Sequence, residues 1–222
     1  MKAFIDKLER KQTLPRGDWI TLIENFTPKD ADYLFERARA VRQQYYGNAV
    51  FIRGLIEFTN YCKNDCYYCG IRRSNKNAQR YRLTKDKILN CCRQGYRLGF
   101  RTFVLQGGED GHFTDTVLVD IVSAIRQEFP DCAITLSIGE RSRKSYEALY
   151  NAGANRYLLR HETYDRAHYA SLHPPELSAA HRQKCLWDLK EIGYQTGTGF
   201  MVGSPFQTPE NLADDMLFLK KL

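Results

Sequence analysis

Long apolar runs are missing from this chain. Runs such as Tyr157 to Leu159 extend over only a few residues, whereas a bilayer-spanning helix needs about 20, so no membrane partner is expected. The N-terminus, MKAFIDKLERKQTLPRGDW, is charged throughout and lacks the apolar stretch of a secretory leader. A cytoplasmic protein is therefore expected. Its seven cysteines then argue for metal or redox chemistry plus a few buried thiols, not for disulfides. Also missing is any recognisable nucleic-acid-binding motif. The 33 Lys and Arg outnumber the 26 Asp and Glu to give +7, but the two signs are interleaved, and no nucleic-acid partner is expected. The densest basic run, Lys63 to Arg82, surrounds three cysteines, where positive charge can balance an anionic cluster.

What is present suits one soluble domain with a sizeable core: 222 residues, 43% of them hydrophobic and 27% charged. Residues 1–50 read as a helical segment, a lid or collar ahead of the main fold. Thr27 and Pro28, followed by Asp30, form an N-cap, N1 proline and first-turn acid, and Tyr33, Leu34, Ala38 and Val41 keep helical spacing to about Gly47. From Gly54 the pattern changes. Short strands are expected at Leu55–Thr59, Thr102–Gln106, Ala133–Ile138, Arg156–Arg160 and Thr196–Val202. Helices are expected between and after them at Lys85–Leu98, Thr116–Phe129, Arg143–Ala152, His181–Ile192 and Pro209–Leu222. Five alternations predict β/α units around a parallel sheet. Both an open doubly wound sheet and a barrel fit. Thr135 and Ser137 share a face opposite Ile134, Leu136 and Ile138, and polar residues on the face away from the helices favour a partial (β/α) TIM-type barrel over residues 51–222, with a ligand inside. Five units are too few to close such a ring, so this reads as an N-terminal portion of a longer chain, or one whose open edge is covered.

The chemistry concentrates in Thr59–Ile71, TNYCKNDCYYCGI, where Cys62, Cys66 and Cys69 follow the first strand. C-x3-C-x2-C leaves a metal site one protein ligand short. Three thiolates can each hold one iron of a [4Fe-4S] cluster while the fourth iron stays open. A structural zinc site needs four protein ligands, and the next Cys or His is Cys91, within a helical segment. A thioredoxin-like Cys66–Cys69 pair would leave Cys62 without a role. Cys91, Cys92, Cys132 and Cys185 read as buried packing thiols. His161 is a candidate pocket residue by its position at a strand end.

This loop, with the aromatic Tyr68 before its last cysteine, resembles the cluster loop of radical S-adenosylmethionine enzymes. The resemblance implies a [4Fe-4S] cluster on Cys62, Cys66 and Cys69, with S-adenosylmethionine completing the open iron and cleaved reductively to a 5′-deoxyadenosyl radical. It implies that Gln106, Gly107, Gly108 and Glu109 receive the methionyl amine, although an ordinary βα turn would read the same way. Glu162, in Arg160-His-Glu-Thr163, is implied to bind the ribose hydroxyls and Arg182 the methionyl carboxylate. Thr135, Ser137 and Met201 are expected to line the cofactor site. The runs EFTNYCKNDCYYCGIRRSNK, YLLRHET and GFMVGSPFQT are most similar to the HydE family of radical maturases, which help to assemble the active-site cluster of [FeFe]-hydrogenase. That resemblance implies anaerobic work on a small iron-containing precursor, an electron donor such as ferredoxin or flavodoxin, and other maturation proteins as partners. Relatives of the methylornithine synthase and biotin synthase type share the motifs, and a non-catalytic iron-sulfur module is the alternative from another class.

Overall fold

The computed structural model describes residues 1–222. Three N-terminal helices, α1 (Lys2–Lys11), α2 (Arg16–Glu24) and α3 (Pro28–Tyr46), precede the strands β1 (Gly54–Thr59), β2 (Thr102–Gly107), β3 (Ala133–Ser137), β4 (Arg156–Leu158) and β5 (Gln195–Gly197). The helices α4 (Lys85–Arg97), α5 (Asp115–Glu128), α6 (Arg143–Asn151), α7 (Arg166–Leu172), α8 (Ala179–Ile192) and α9 (Pro209–Lys221) follow or separate them. All neighbouring strands are parallel, and the order is β1-β2-β3-β4-β5. A doubly wound sheet reverses its strand order at a switch point. Here it never reverses, so the chain winds one way, as in an arc of a barrel.

The two faces of the arc differ as period-two alternation demands. Ile56, Phe58, Phe103, Leu105, Ile134, Leu136 and Tyr157 are buried against the helices, chiefly against Ile88, Leu118, Val122, Leu149 and Leu186. The other face carries two cross-strand rows. One joins Leu55, Val104, Thr135, Arg156 and Gln195, and the next begins Glu57, Gln106, Ser137. Leu55 is 55% exposed, so the concave wall is open. Side-chain caps start the barrel helices: Thr84, Thr114, Ser142, Asp165, Ser178 and Thr208 each accept from a backbone N–H in the first turn.

Several elements differ from the sequence expectations. The strands β4 and β5 are three residues each, shorter than Arg156–Arg160 and Thr196–Val202. Their pairing resumes further on as a parallel bridge between Glu162 and Phe200. Between these stretches the His161 N–H turns to the Thr198 hydroxyl instead of a carbonyl. Helix α7 has no counterpart among the expected elements. Of the four cysteines expected to be buried, Cys92, Cys132 and Cys185 are, but Cys91 is exposed. Adjacent positions on a helix point about 100° apart, so Cys91 and Cys92 cannot both face the core. Within residues 1–50, α1 and α2 build a small core of Ile5, Leu14, Trp19 and Leu22 with Ala213 of α9. Arg16 pairs with Asp214 alongside it. No helix is long and apolar enough to cross a membrane.

Candidate cluster and cofactor site

The loop after β1 is fastened at both ends. Thr59 donates its hydroxyl to Asp110 at 2.8 Å, and Arg82 grips the same carboxylate with two bonds of 2.7 and 2.8 Å while stacking over Tyr61. Burial pushes the Asp110 carboxyl up, but Arg82, the His112 N–H and Thr59 outweigh it and hold the group below the usual carboxylate range. Inside the loop, Arg80 donates to the carbonyls of Asn60, Ile71, Arg72 and Asn75, which keeps the polar backbone satisfied in a segment without regular structure. Gly108 lies flush beneath it. A side chain there would overlap the Tyr61 carbonyl and come within 2.7 Å of Cys62 Cβ. The Lys63 N–H donates to the Glu109 carbonyl at 2.9 Å, so the loops after β1 and β2 are zipped together.

Cys62, Cys66 and Cys69 are half-buried and unpaired. Burial raises the Cys62 thiol, and it pushes Cys66 up to about 11, with Cys62 and Cys69 close enough to add to the rise and Arg182 opposing it. Thus Cys62 and Cys69 lie near Cys66, and Arg182 is close enough to favour the Cys66 thiolate. Tyr68 donates its hydroxyl to His173 Nε2 at 2.9 Å, because His173 Nδ1 is engaged by the Tyr169 carbonyl at 2.9 Å. The end of α7 thus carries the loop's aromatic residue, and the Tyr67 N–H bonds to the Leu172 carbonyl beside it.

Glu162 is buried and sits in the left-handed region at φ 66°, a conformation uncommon for a residue with a side chain and frequent at functional sites. Burial raises its carboxyl, opposed by Arg160 at 3.3 Å and by Arg182. One of its oxygens, Oε2, is buried without a hydrogen-bond partner. Arg182, 8% exposed, has its Nε 2.5 Å from Glu140 Oε1, but neither atom is aligned for a hydrogen bond. Burial opposes its charge, but Glu140, Tyr169, Glu109 and Tyr68 together outweigh that penalty and favour it. Glu109 accepts from the Glu140 N–H at 3.0 Å and pairs with Lys63 at 3.2 Å. Its carboxyl fills the space beside Gly139, where φ is +77° and no side chain fits.

The sequence-derived candidates thus divide. Cys62, Cys66, Cys69, Tyr68, Gly108, Glu109, Glu162 and Arg182 gather at the carboxyl ends of the strands. Gly107 packs against Thr59, and Met201 donates its N–H to the Glu162 carbonyl at 2.9 Å. Gln106 donates to Glu57 at 3.3 Å on the concave wall, level with Ser137. Thr135 lies one row lower, about 6–7 Å further from the mouth, beside a cavity of about 380 Å³ shared with Arg53 and Arg156. His161 is not a pocket residue: it points away, into α9, fully buried against Asp215 and Phe218. Sequence reasoning missed Arg80, Glu140 and His173; the partners of Glu140 and His173 are distant in the chain.

A one-way parallel β/α arc with three neighbouring thiols at its carboxyl mouth defines an iron-sulfur barrel in which the protein leaves one iron position open. The chain belongs to the Radical SAM superfamily, whose family model matches residues 56–219; members use a [4Fe-4S] cluster and S-adenosylmethionine. It is 43% identical to the [FeFe] hydrogenase maturase subunit HydE of Thermotoga maritima, over 99% of this chain and 62% of that protein. It is 30% identical to 3-methylornithine synthase of Methanosarcina barkeri, over 89% of this chain and 56% of that one. The crystal structure of methylornithine synthase (PylB) superposes with a TM-score of 0.89 at 28% identity, covering 98% of this chain and 64% of the other. The chain therefore spans about three fifths of the length of the relatives it matches. The residues present fit both groups: one loop supplies three thiols, and beside it stand a buried carboxylate oxygen of Glu162 without a hydrogen-bond partner and the buried guanidinium of Arg182.

Proposed function

We propose that this chain is the catalytic core of a radical S-adenosylmethionine enzyme acting in the maturation of the [FeFe]-hydrogenase active-site cluster. The observation that carries the reading is three half-buried, unpaired cysteines in one loop after β1, beside the buried Arg182 and Glu162. Cys62, Cys66 and Cys69 would hold three irons. Bound there, the cluster and cofactor would supply reductively initiated radical chemistry.

The remaining work belongs to the chain's own residues. Arg182, held by Glu140, presents guanidinium N–H groups to the methionyl carboxylate. Gly108, which admits close backbone approach, and Glu109 take the amine, with Gln106 and Gly107 shaping that turn. Glu162 accepts from the ribose hydroxyls, and its buried, unpartnered oxygen is the atom available to do so. Tyr68 and Met201 border the cofactor, and Ser137 and Thr135 line the wall facing the substrate. Similarity to the maturase supports a small iron-containing precursor as substrate, with an external low-potential electron donor such as ferredoxin or flavodoxin and other maturation proteins as partners. Anaerobic, cytoplasmic work suits an oxygen-sensitive cluster.

Anaerobic reconstitution of the full-length protein tests this reading. Adding S-adenosylmethionine to the reduced cluster should shift its EPR signal and release 5′-deoxyadenosine. A cluster indifferent to the cofactor points to an electron-transfer module. The 30% identity to 3-methylornithine synthase supports a second reading within the same chemistry, and turnover of lysine in place of the iron precursor would establish it.

A further inference from the structure

Outside the cluster loop, three potential metal ligands from two elements meet beside Arg182: Glu140 in the loop after β3, and His181 and Cys185 one turn apart on α8. We propose that Glu140, His181 and Cys185 form a second metal site, selective for zinc(II), with solvent as the fourth ligand. The proposal does not depend on what the cluster loop does.

Geometry carries it. The carboxylate oxygen, ring nitrogen and sulfur all lie within 4.8 Å of one another. Glu140 Oε2 is 3.2 Å from His181 Nδ1, and Cys185 Sγ is 3.7 Å from that same nitrogen. A tetrahedral zinc with ordinary bond lengths separates oxygen from nitrogen by about 3.3 Å and nitrogen from sulfur by about 3.6 Å. Both separations are met with the side chains as they stand. Cys185 and His181 at i and i+4 share a face of α8, so the helix holds two ligands in register while the β3 loop brings the third.

The surroundings meet the other requirements for such a site. The second carboxylate oxygen, Glu140 Oε1, stays with Arg182, the outer contact that orients a metal-binding carboxylate. Glutamate and thiolate together cancel the charge of the ion, so the neighbouring guanidinium is not opposed. Coordination displaces the Cys185 thiol proton to solvent. The ion has a way in: a cavity of about 480 Å³, lined by Asn64, Glu109, Glu140 and His181 among others, brings solvent to two of the three ligands. The His181 side chain is 57% exposed. A mixed N/O/S donor set with an open fourth position suits zinc better than magnesium or calcium, which demand oxygen ligands. An ion here would pin Glu140, and through it Arg182.

The test uses the cluster-reconstituted full chain, dialysed anaerobically against zinc(II) and assayed for both metals. One zinc per chain should be retained, falling to background in His181→Ala while iron is unchanged. Zinc at background in the wild-type chain, or zinc unaffected by His181→Ala, overturns the site. A second measurement covers the buried ligand. In the full chain carrying Cys62→Ser, Cys66→Ser and Cys69→Ser, added cobalt(II) should give thiolate charge-transfer absorption that disappears on further Cys185→Ser substitution. Absence of that absorption, or its survival without Cys185, overturns it equally.

Discussion

Asp215 on α9 accepts a hydrogen bond from His161 at the end of β4, Oδ1 to Nε2 at 3.2 Å, with both side chains fully buried. Nε2 faces the accepting Asp215 oxygen, and Nδ1 meets the Thr198 hydroxyl at 3.0 Å. The same Asp215 oxygen accepts from the Tyr164 N–H at 2.6 Å. One carboxylate therefore grips the chain on both sides of Glu162 and holds its left-handed backbone. Asp215→Ala orphans two buried N–H groups and should cost about 2–6 kcal/mol, at roughly 1–3 each. Asp215→Asn, which keeps the accepting oxygen, should cost less. Urea denaturation of the three proteins measures it, and a loss below about 1 kcal/mol for Asp215→Ala would refute the clamp.

Arg182 separates cofactor binding from cluster assembly. Arg182→Ala should weaken S-adenosylmethionine binding by about 10- to 100-fold, the worth of a charge-assisted pair, without lowering iron content. Arg182→Lys restores the charge but not the planar fork, and should recover only part of the affinity. Equilibrium binding on reconstituted protein is the check, and unchanged affinity in Arg182→Ala would remove Arg182 from the cofactor's contacts.

Replacing any one of Cys62, Cys66 or Cys69 with Ala should abolish a stable cluster. Two thiolates leave a second iron without a protein ligand, and Cys91, the nearest other cysteine in sequence, lies exposed on α4. Iron and sulfide analysis decides this, and wild-type iron in any of the three variants would count against the assignment.

Burial holds His173 down to about 4, against an ordinary value of 6.5. A group depressed in the folded state adds stability above its unfolded value; the unfolded chain takes up the proton first as pH falls, and the contribution is gone below the folded value. Stability of the cluster-free chain should therefore decline as pH drops from about 6.5 to 4, and the decline should be shallower in His173→Asn. Parallel pH profiles of the two urea midpoints would exclude His173 as its source.

Much of the architecture is legible from Gly54 onward because short apolar strands and capped helices repeat with distinct periodicities. Its limits are equally physical. The short β4 and β5 follow from the break at His161, whose N–H turns to the Thr198 hydroxyl, and glutamate carries no signal for the left-handed turn at Glu162 just beyond it. Helix α7, seven residues long, is too short for a periodic apolar face to emerge, and Asp165 is its main local cue. The three thiols are readable because their spacing is local. By contrast, His173 meets Tyr68 from 105 residues away and Arg80 reaches Asn60 from 20; nothing in either neighbourhood announces the partner. Glu140 has meaning only once the β3 loop lies against α8.

The contact of Gly108 with Tyr61 and Cys62 bears on how this scaffold can be altered. Because a single methyl group at 108 would collide with the backbone that carries the first cysteine, the segments after β1 and β2 cannot be exchanged separately. A chimera that imports only the three-cysteine segment from a relative meets a floor shaped for another loop. Moving the first two strands with both of their loops, Asp110 and Arg82 included, keeps donor and acceptor surfaces matched, and that pair is the smallest portable module this fold offers.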